Sequence, residues 1–262
     1  VKTVVYIWTL ALWASFSTGL RAQSLSWQSA FEKNTFEASS DSSAHLLALL
    51  VASDATVTDS SFAKWHKELL AFGQQLSKKR KKFLSESHFL YYVFKQVQQR
   101  YLHQYQPYPL FTGLQDSTYN CVSGTALYAW LLNQLGFSTQ IRETNVHVYL
   151  RVRTVKSEYL IDATDPENGF VSDDETLIAR REMWYASNEV MRGKPYNKAV
   201  TLTELAGLQY FNEAVKAFNR RSYEKCMQHL AKADRLYAGS VKVANLRSMA
   251  QPHVQPVWTA AN

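Results

Sequence analysis

The chain has 262 residues, two of them cysteine, with 29 Lys+Arg against 22 Asp+Glu. That length with so few cysteines excludes a disulfide-stapled miniprotein and an all-cysteine zinc site, and 46% hydrophobic against 19% charged residues excludes a disordered chain. A net charge of +7 is too mild to require nucleic acid, and with no C-x-x-C or H-E-x-x-H motif neither a metal nor a cofactor is expected.

Lys2 and the uncharged stretch Val4–Phe16 read as the start of a targeting segment. Small Ala22, with Leu20 two positions before it, sets a signal-peptidase cut before Gln23. The apolar run falls short of the roughly 20 residues a spanning helix needs. The expectation is a signal peptide over 1–22 and an exported protein, periplasmic or extracellular, with no membrane contact after cleavage.

Residues 23–106 have helical periodicity. Leu46–Val51 form a short apolar segment. Phe62, Trp65, Leu69, Phe72 and Leu76 follow at helical intervals, with Asp59 as their cap and Lys78–Lys82 as a solvated helix end. Phe89, Tyr92, Val93, Val97 and Leu102 make another helix, broken at Pro107 and Pro109. Tyr119–Gly136 is apolar on nearly every side, the pattern of a central buried helix that Gly136 ends. The period then changes to two. Residues 137–142, 146–153 and 159–162 read as three strands, with Lys156-Ser157-Glu158 between the last two. Val146, Val148, Leu150 and Val152 share one face of the middle strand; His147, Tyr149, Arg151 and Arg153 share the other. Asp165–Gly169 is a turn and Ser172–Arg181 a short helix. A loop through Gly193-Lys194-Pro195 leads to helices over 203–219, 223–236 and 241–249, then a frayed tail from 251.

The chemistry concentrates in Tyr119-Asn120-Cys121-Val122-Ser123-Gly124. Cys121 stands where the buried helix begins, and the positive end of a helix favours a thiolate, the reactive form of the side chain. His147 lies on the next strand but one, opposite its apolar face, and Asp162 at the end of the strand after that. If those strands pair antiparallel, the aspartate can hold one ring nitrogen and leave the other for the thiol. Asp165 is the rival acid. The Cys121 backbone amide and the Gln115 side chain are the candidate oxyanion donors, with Tyr119 and Asn120 as alternatives.

These segments, YNCVSGTALYAWLLNQLGF, HVYLRV and YLIDATDP, resemble the transglutaminase-like superfamily of papain-type folds. The resemblance covers residues 108–170. It implies an α+β fold with a central helix packed on a small antiparallel sheet, a catalytic core over 107–200, and Cys121 as nucleophile, His147 as general base and acid, Asp162 as orienting acid. The implied activity is acyl transfer at an amide of a protein or peptide substrate, by a peptidase or amidase in preference to a transamidase. A glutamine placed like Gln115 occurs in papain-like peptidases. YFNEAVKAFNRRSYEKCMQHLAKADRLY resembles a tetratricopeptide helix pair, giving a C-terminal helical hairpin over 201–250, a tail over 251–262 and a surface for a protein partner. One repeat cannot bury its own face, so the pair is expected to pack on the core, with Cys226 as a core residue. The rival from another class is an inactive module of the same fold that only binds protein.

Overall fold

Side-chain caps set where the N-terminal helices begin. Ser29 precedes α1 (Ala30–Glu37), Ser42 precedes α2 (Ser43–Val51), Thr58 precedes α3 (Asp59–Arg80) and Ser85 precedes α4 (Glu86–Tyr101). Each hydroxyl accepts an amide hydrogen from three residues on, satisfying a donor that the helix leaves open. The cap expected at Asp59 is therefore Thr58, which forms a reciprocal capping box with Ser61. Asp59 is the first helical residue. Lys78, Lys79 and Arg80 close α3 as expected, but Arg80 turns inward, donating to the Leu135 carbonyl at 3.0 Å and pairing with Glu86.

The computed structural model describes residues 25–172, 174–190 and 197–254. The leader read over 1–22, the loop at 193–195 and the tail from 255 lie outside them. After α4 come β1 (Gln104–Tyr105), a 3-10 turn over Phe111–Asp116, and β2 (Thr118–Tyr119), parallel to β1. Then follow α5 (Cys121–Gln134), β3 (Ser138–Thr144), β4 (Val148–Arg153), β5 (Glu158–Ile161) and β6 (Phe170–Val171). Next come α6 (Glu175–Val190), β7 (Asn197–Val200), α7 (Leu202–Asn219), α8 (Tyr223–Leu236), α9 (Val241–Ala250) and, where a frayed tail is expected to begin, a 3-10 turn over Gln251–His253. The fold is α+β. Strands β3 to β7 form one antiparallel sheet in the order β6-β5-β4-β3-β7.

Helix α5 sits between the sheet and the other helices, as its all-round apolarity requires. Residues Ala126 to Leu132 are essentially inaccessible. Its polar atoms bond outward to neighbouring elements: Thr125 Oγ1 donates to the Val148 carbonyl, Tyr128 OH to that of Phe94 and Trp130 Nε1 to that of Ser43. The helix ends at Gly136, whose φ of +80° suits glycine.

Val148, Leu150 and Val152 face α5, as the alternation predicts; Val146, expected on the same face, is exposed because it lies in the connection before β4 begins. The opposite face carries Tyr149 and Leu160 and is covered by α6 through Ile178 and Tyr185. The short helix read over 172–181 is in fact α6, starting at Glu175 and running on to Val190. Strand β7 on the far edge went unread, because only Val200 of its four residues is buried.

The C-terminal helices pack on this core. Leu202, Leu205 and Leu208 of α7 enter the same cluster as α2 and α5, while Tyr210, Ala214, Cys226, Leu230, Val243 and Leu246 form a second cluster among α7, α8 and α9. Cys226 is a buried residue of that cluster, and both cysteines are free thiols.

Candidate active site

Cys121 is the first residue of α5. Asn120 caps the helix: its side chain accepts from the Ser123 amide at 3.0 Å while Ser123 Oγ accepts from the Asn120 amide at 3.0 Å. Asn120 Nδ2 donates to the Pro107 carbonyl, tying the helix start to the segment that follows β1. The thiol is thus held where the open amides of the first turn and the helix dipole favour negative charge.

His147 stands one residue before β4, the last of the three residues that connect β3 to β4, rather than within the strand. Thr144 secures that turn: its amide donates to the His147 carbonyl at 2.8 Å, and its Oγ1 accepts from the His147 amide at 3.0 Å. Asp162 follows β5 directly. Continuing the β4–β5 register by one residue sets Asp162 opposite Tyr149, so His147 is its diagonal neighbour on the same face. His147 Nε2 lies 3.1 Å from Asp162 Oδ2, a bent contact with the carboxylate off the line of the ring N–H. The ring and the Cys121 side chain line the same cleft, and the cysteine is one of the groups that raise the imidazole's pKa, so the two strands and the helix start bring all three residues together.

Electrostatics follow from this geometry. Burial of His147 opposes its charge, but the Asp162 carboxylate and the Cys121 side chain beside the ring outweigh it, raising its pKa to about 10. Burial would raise Asp162, yet His147, Tyr185 and the Thr164 amide together hold its carboxyl well below the usual range. The imidazolium form is therefore the stable one at neutral pH.

One buried neighbour was not anticipated. Tyr185 of α6 donates to Asp162 Oδ2 at 2.6 Å, and its ring lies 4.9 Å from the His147 ring, centroid to centroid. The signal that could have found it is the stripe Ile178, Glu182, Tyr185. Its middle member is charged because Tyr149 OH and Arg151 both donate to Glu182. Asp165 is not the partner of His147: its carboxylate caps the Asn168 amide and pairs with Arg181.

The proposed oxyanion donor Gln115 is corrected. It lies on the solvent-exposed side of the 3-10 turn and is not among the residues lining the cleft at Cys121. Tyr119 packs in the core behind the helix start, and the Asn120 side chain is engaged as the cap. The backbone amide of Cys121 is the candidate that remains.

Cys121 and His147 open into a cleft of about 520 Å³. One side is the segment through Tyr105 and Tyr108 with the hairpin residues Asn145 and Val146. The other is made by α7 and α9, through Phe211, Val215 and Leu246. The short separation of Cys121 from His147 leaves little chain between them for a pocket, and the C-terminal helices supply the missing wall.

Among the described residues no three His, Cys, Asp or Glu side chains gather as metal ligands, and no helix is long and apolar enough to cross a membrane. Set against protein-family models, curated proteins and solved structures, the chain has no significant match in any of the three.

Proposed function

We propose that this protein is an exported cysteine enzyme of the transglutaminase-like type, acting on amide bonds of a peptide or protein through an acyl-thioester on Cys121. The Cys121 thiolate adds to the carbonyl carbon, and the developing oxyanion is met by the Cys121 amide at the helix start. As the C–N bond breaks, the His147 imidazolium gives its proton to the departing amine. Water then adds to the thioester, His147 takes its proton, and the acid and free thiol are released. Asp162 keeps the ring oriented and stabilises its charged form, and Tyr185 in turn holds Asp162.

The observation that carries this reading is that Cys121 and His147 line one cleft, with the buried Asp162 carboxylate 3.1 Å from the His147 ring. Iodoacetamide labelling at mildly acidic pH tests it. Cys121 should react much faster than a free thiol, and His147→Ala should abolish the advantage. Labelling at the free-thiol rate, indifferent to His147→Ala, would sink the enzyme and leave a protein-binding module.

A further inference from the structure

The wall of the cleft built by α7 and α9 differs in chemistry from the catalytic end. Phe211 and Val215 lie one turn apart on α7, while Leu246 and the exposed Met249 face them from α9. Among the described residues lining this cleft there is no carboxylate, and Lys242 of α9 contributes a cation. That wall is held in place. Glu143, two positions before the hairpin turn of His147, pairs with Lys242 at 2.8 Å and accepts from Tyr237 OH.

We infer that the groove between α7 and α9 is the subsite for the acyl side of the substrate, and that it takes a large apolar side chain and rejects a cationic one. The inference rests on the proposed acyl transfer at Cys121. Helix α7 packs on α5 itself, and the groove residues line the same cleft as Cys121, where the acyl group stays attached. Phe211, Val215, Leu246 and Met249 present enough apolar surface for a side chain of leucine or phenylalanine size, and the volume suits a short peptide segment. A lysine or arginine side chain there would lose its water and meet no carboxylate in the cleft lining, since Glu143 behind it is already paired with Lys242. Asn212, buried in the same wall, has an Nδ2 with no acceptor in the described structure. Rotation of its amide toward the cleft would offer that donor to a peptide carbonyl.

Acetyl-dipeptidyl chloromethyl ketones, differing only in the residue beside the electrophile, test this on the full chain. Alkylation of Cys121 is followed by mass spectrometry, and each rate is divided by the same protein's iodoacetamide rate. Phenylalanine and leucine probes should exceed glycine and lysine probes by about tenfold or more. Val215→Asp and Met249→Asp should each shrink that ratio, chiefly by raising the relative rate of the lysine probe. Equal normalised rates for all four probes, with iodoacetamide labelling still fast and dependent on His147, overturn the groove alone. Slow labelling indifferent to His147→Ala overturns the enzyme and the groove with it.

Discussion

At Asp162, donors converge on one buried carboxylate: the Thr164 amide and hydroxyl on Oδ1, Tyr185 OH and His147 Nε2 on Oδ2. Such a group contributes stability only while ionised. With its pKa depressed in the fold, that contribution is present above the ordinary 3.8 and is lost as pH falls. His147 has the opposite sign. Its pKa is raised from 6.5 to about 10, so its contribution is complete below 6.5, declines above it and is gone once pH passes 10. Urea midpoints measured from pH 6 to pH 10 should therefore fall further for the wild type than for His147→Gln; parallel declines would remove the charged histidine from the account. Tyr185→Phe keeps the ring against His147 and removes the hydroxyl. A lost hydrogen bond to a charged, buried acceptor is worth about 1.5–3 kcal/mol, to be read from the same urea curves at neutral pH.

Helix α5 and the loop after β5 approach each other at a glycine. A Cβ on Gly124 would stand 2.7 Å from the Cβ of Ala163, the residue next to Asp162. That methyl is fixed to the backbone and cannot rotate aside, so the helix start and the acid loop would have to part. Gly124→Ala should cost about 1–3 kcal/mol in stability, as overpacking does. It should also slow labelling of Cys121, because it spreads the elements that carry the cysteine and the acid. A variant as stable and as reactive as the wild type would show that this close approach is not needed. The acid loop is pinned from its other side by Gln98 Nε2, which donates to the Ala163 carbonyl at 2.9 Å.

Across the whole molecule, the ends of the described chain are tied by one buried ion pair. Glu32 of α1 and Lys232 of α8 are both inaccessible and meet at 2.7 Å, with Tyr210 OH of α7 donating to the same carboxylate oxygen. Burial lowers the Lys232 pKa, and Glu32 offsets part of that. Removing one partner strands the other, so Glu32→Ala should cost about 3–5 kcal/mol, and Glu32→Ala with Lys232→Met should recover part of it. Thermal unfolding of the two variants measures this; a single variant no less stable than the double one would contradict it. Through Tyr210 the Glu32 carboxylate also ties α1 to α7, one of the helices that wall the cleft.

The sequence alone determined which helix is central and, within a residue, the bounds of the three C-terminal helices. Glycine ends and apolar periodicity act within a few residues, so they are legible in one dimension; Gly136 and the uninterrupted apolar run of α5 are examples, whereas the caps Thr58 and Asn120 emerge only in the structure. It also determined the pattern of β4 and the order of Cys121, His147 and Asp162. Tertiary structure alone decided the rest. The extent of α6 was hidden because the charged Glu182 occupies a half-buried position of the stripe, and its partners Tyr149 and Arg151 lie some thirty residues away. Gln115 looked suitable by spacing, but distance along the chain does not say which way a 3-10 turn points a side chain. The choice of Asp162 over Asp165 came from strand register, and the far wall of the cleft from helices that join the core some ninety residues beyond the cysteine. Both depend on which surfaces meet when apolar faces are buried, which no local pattern records.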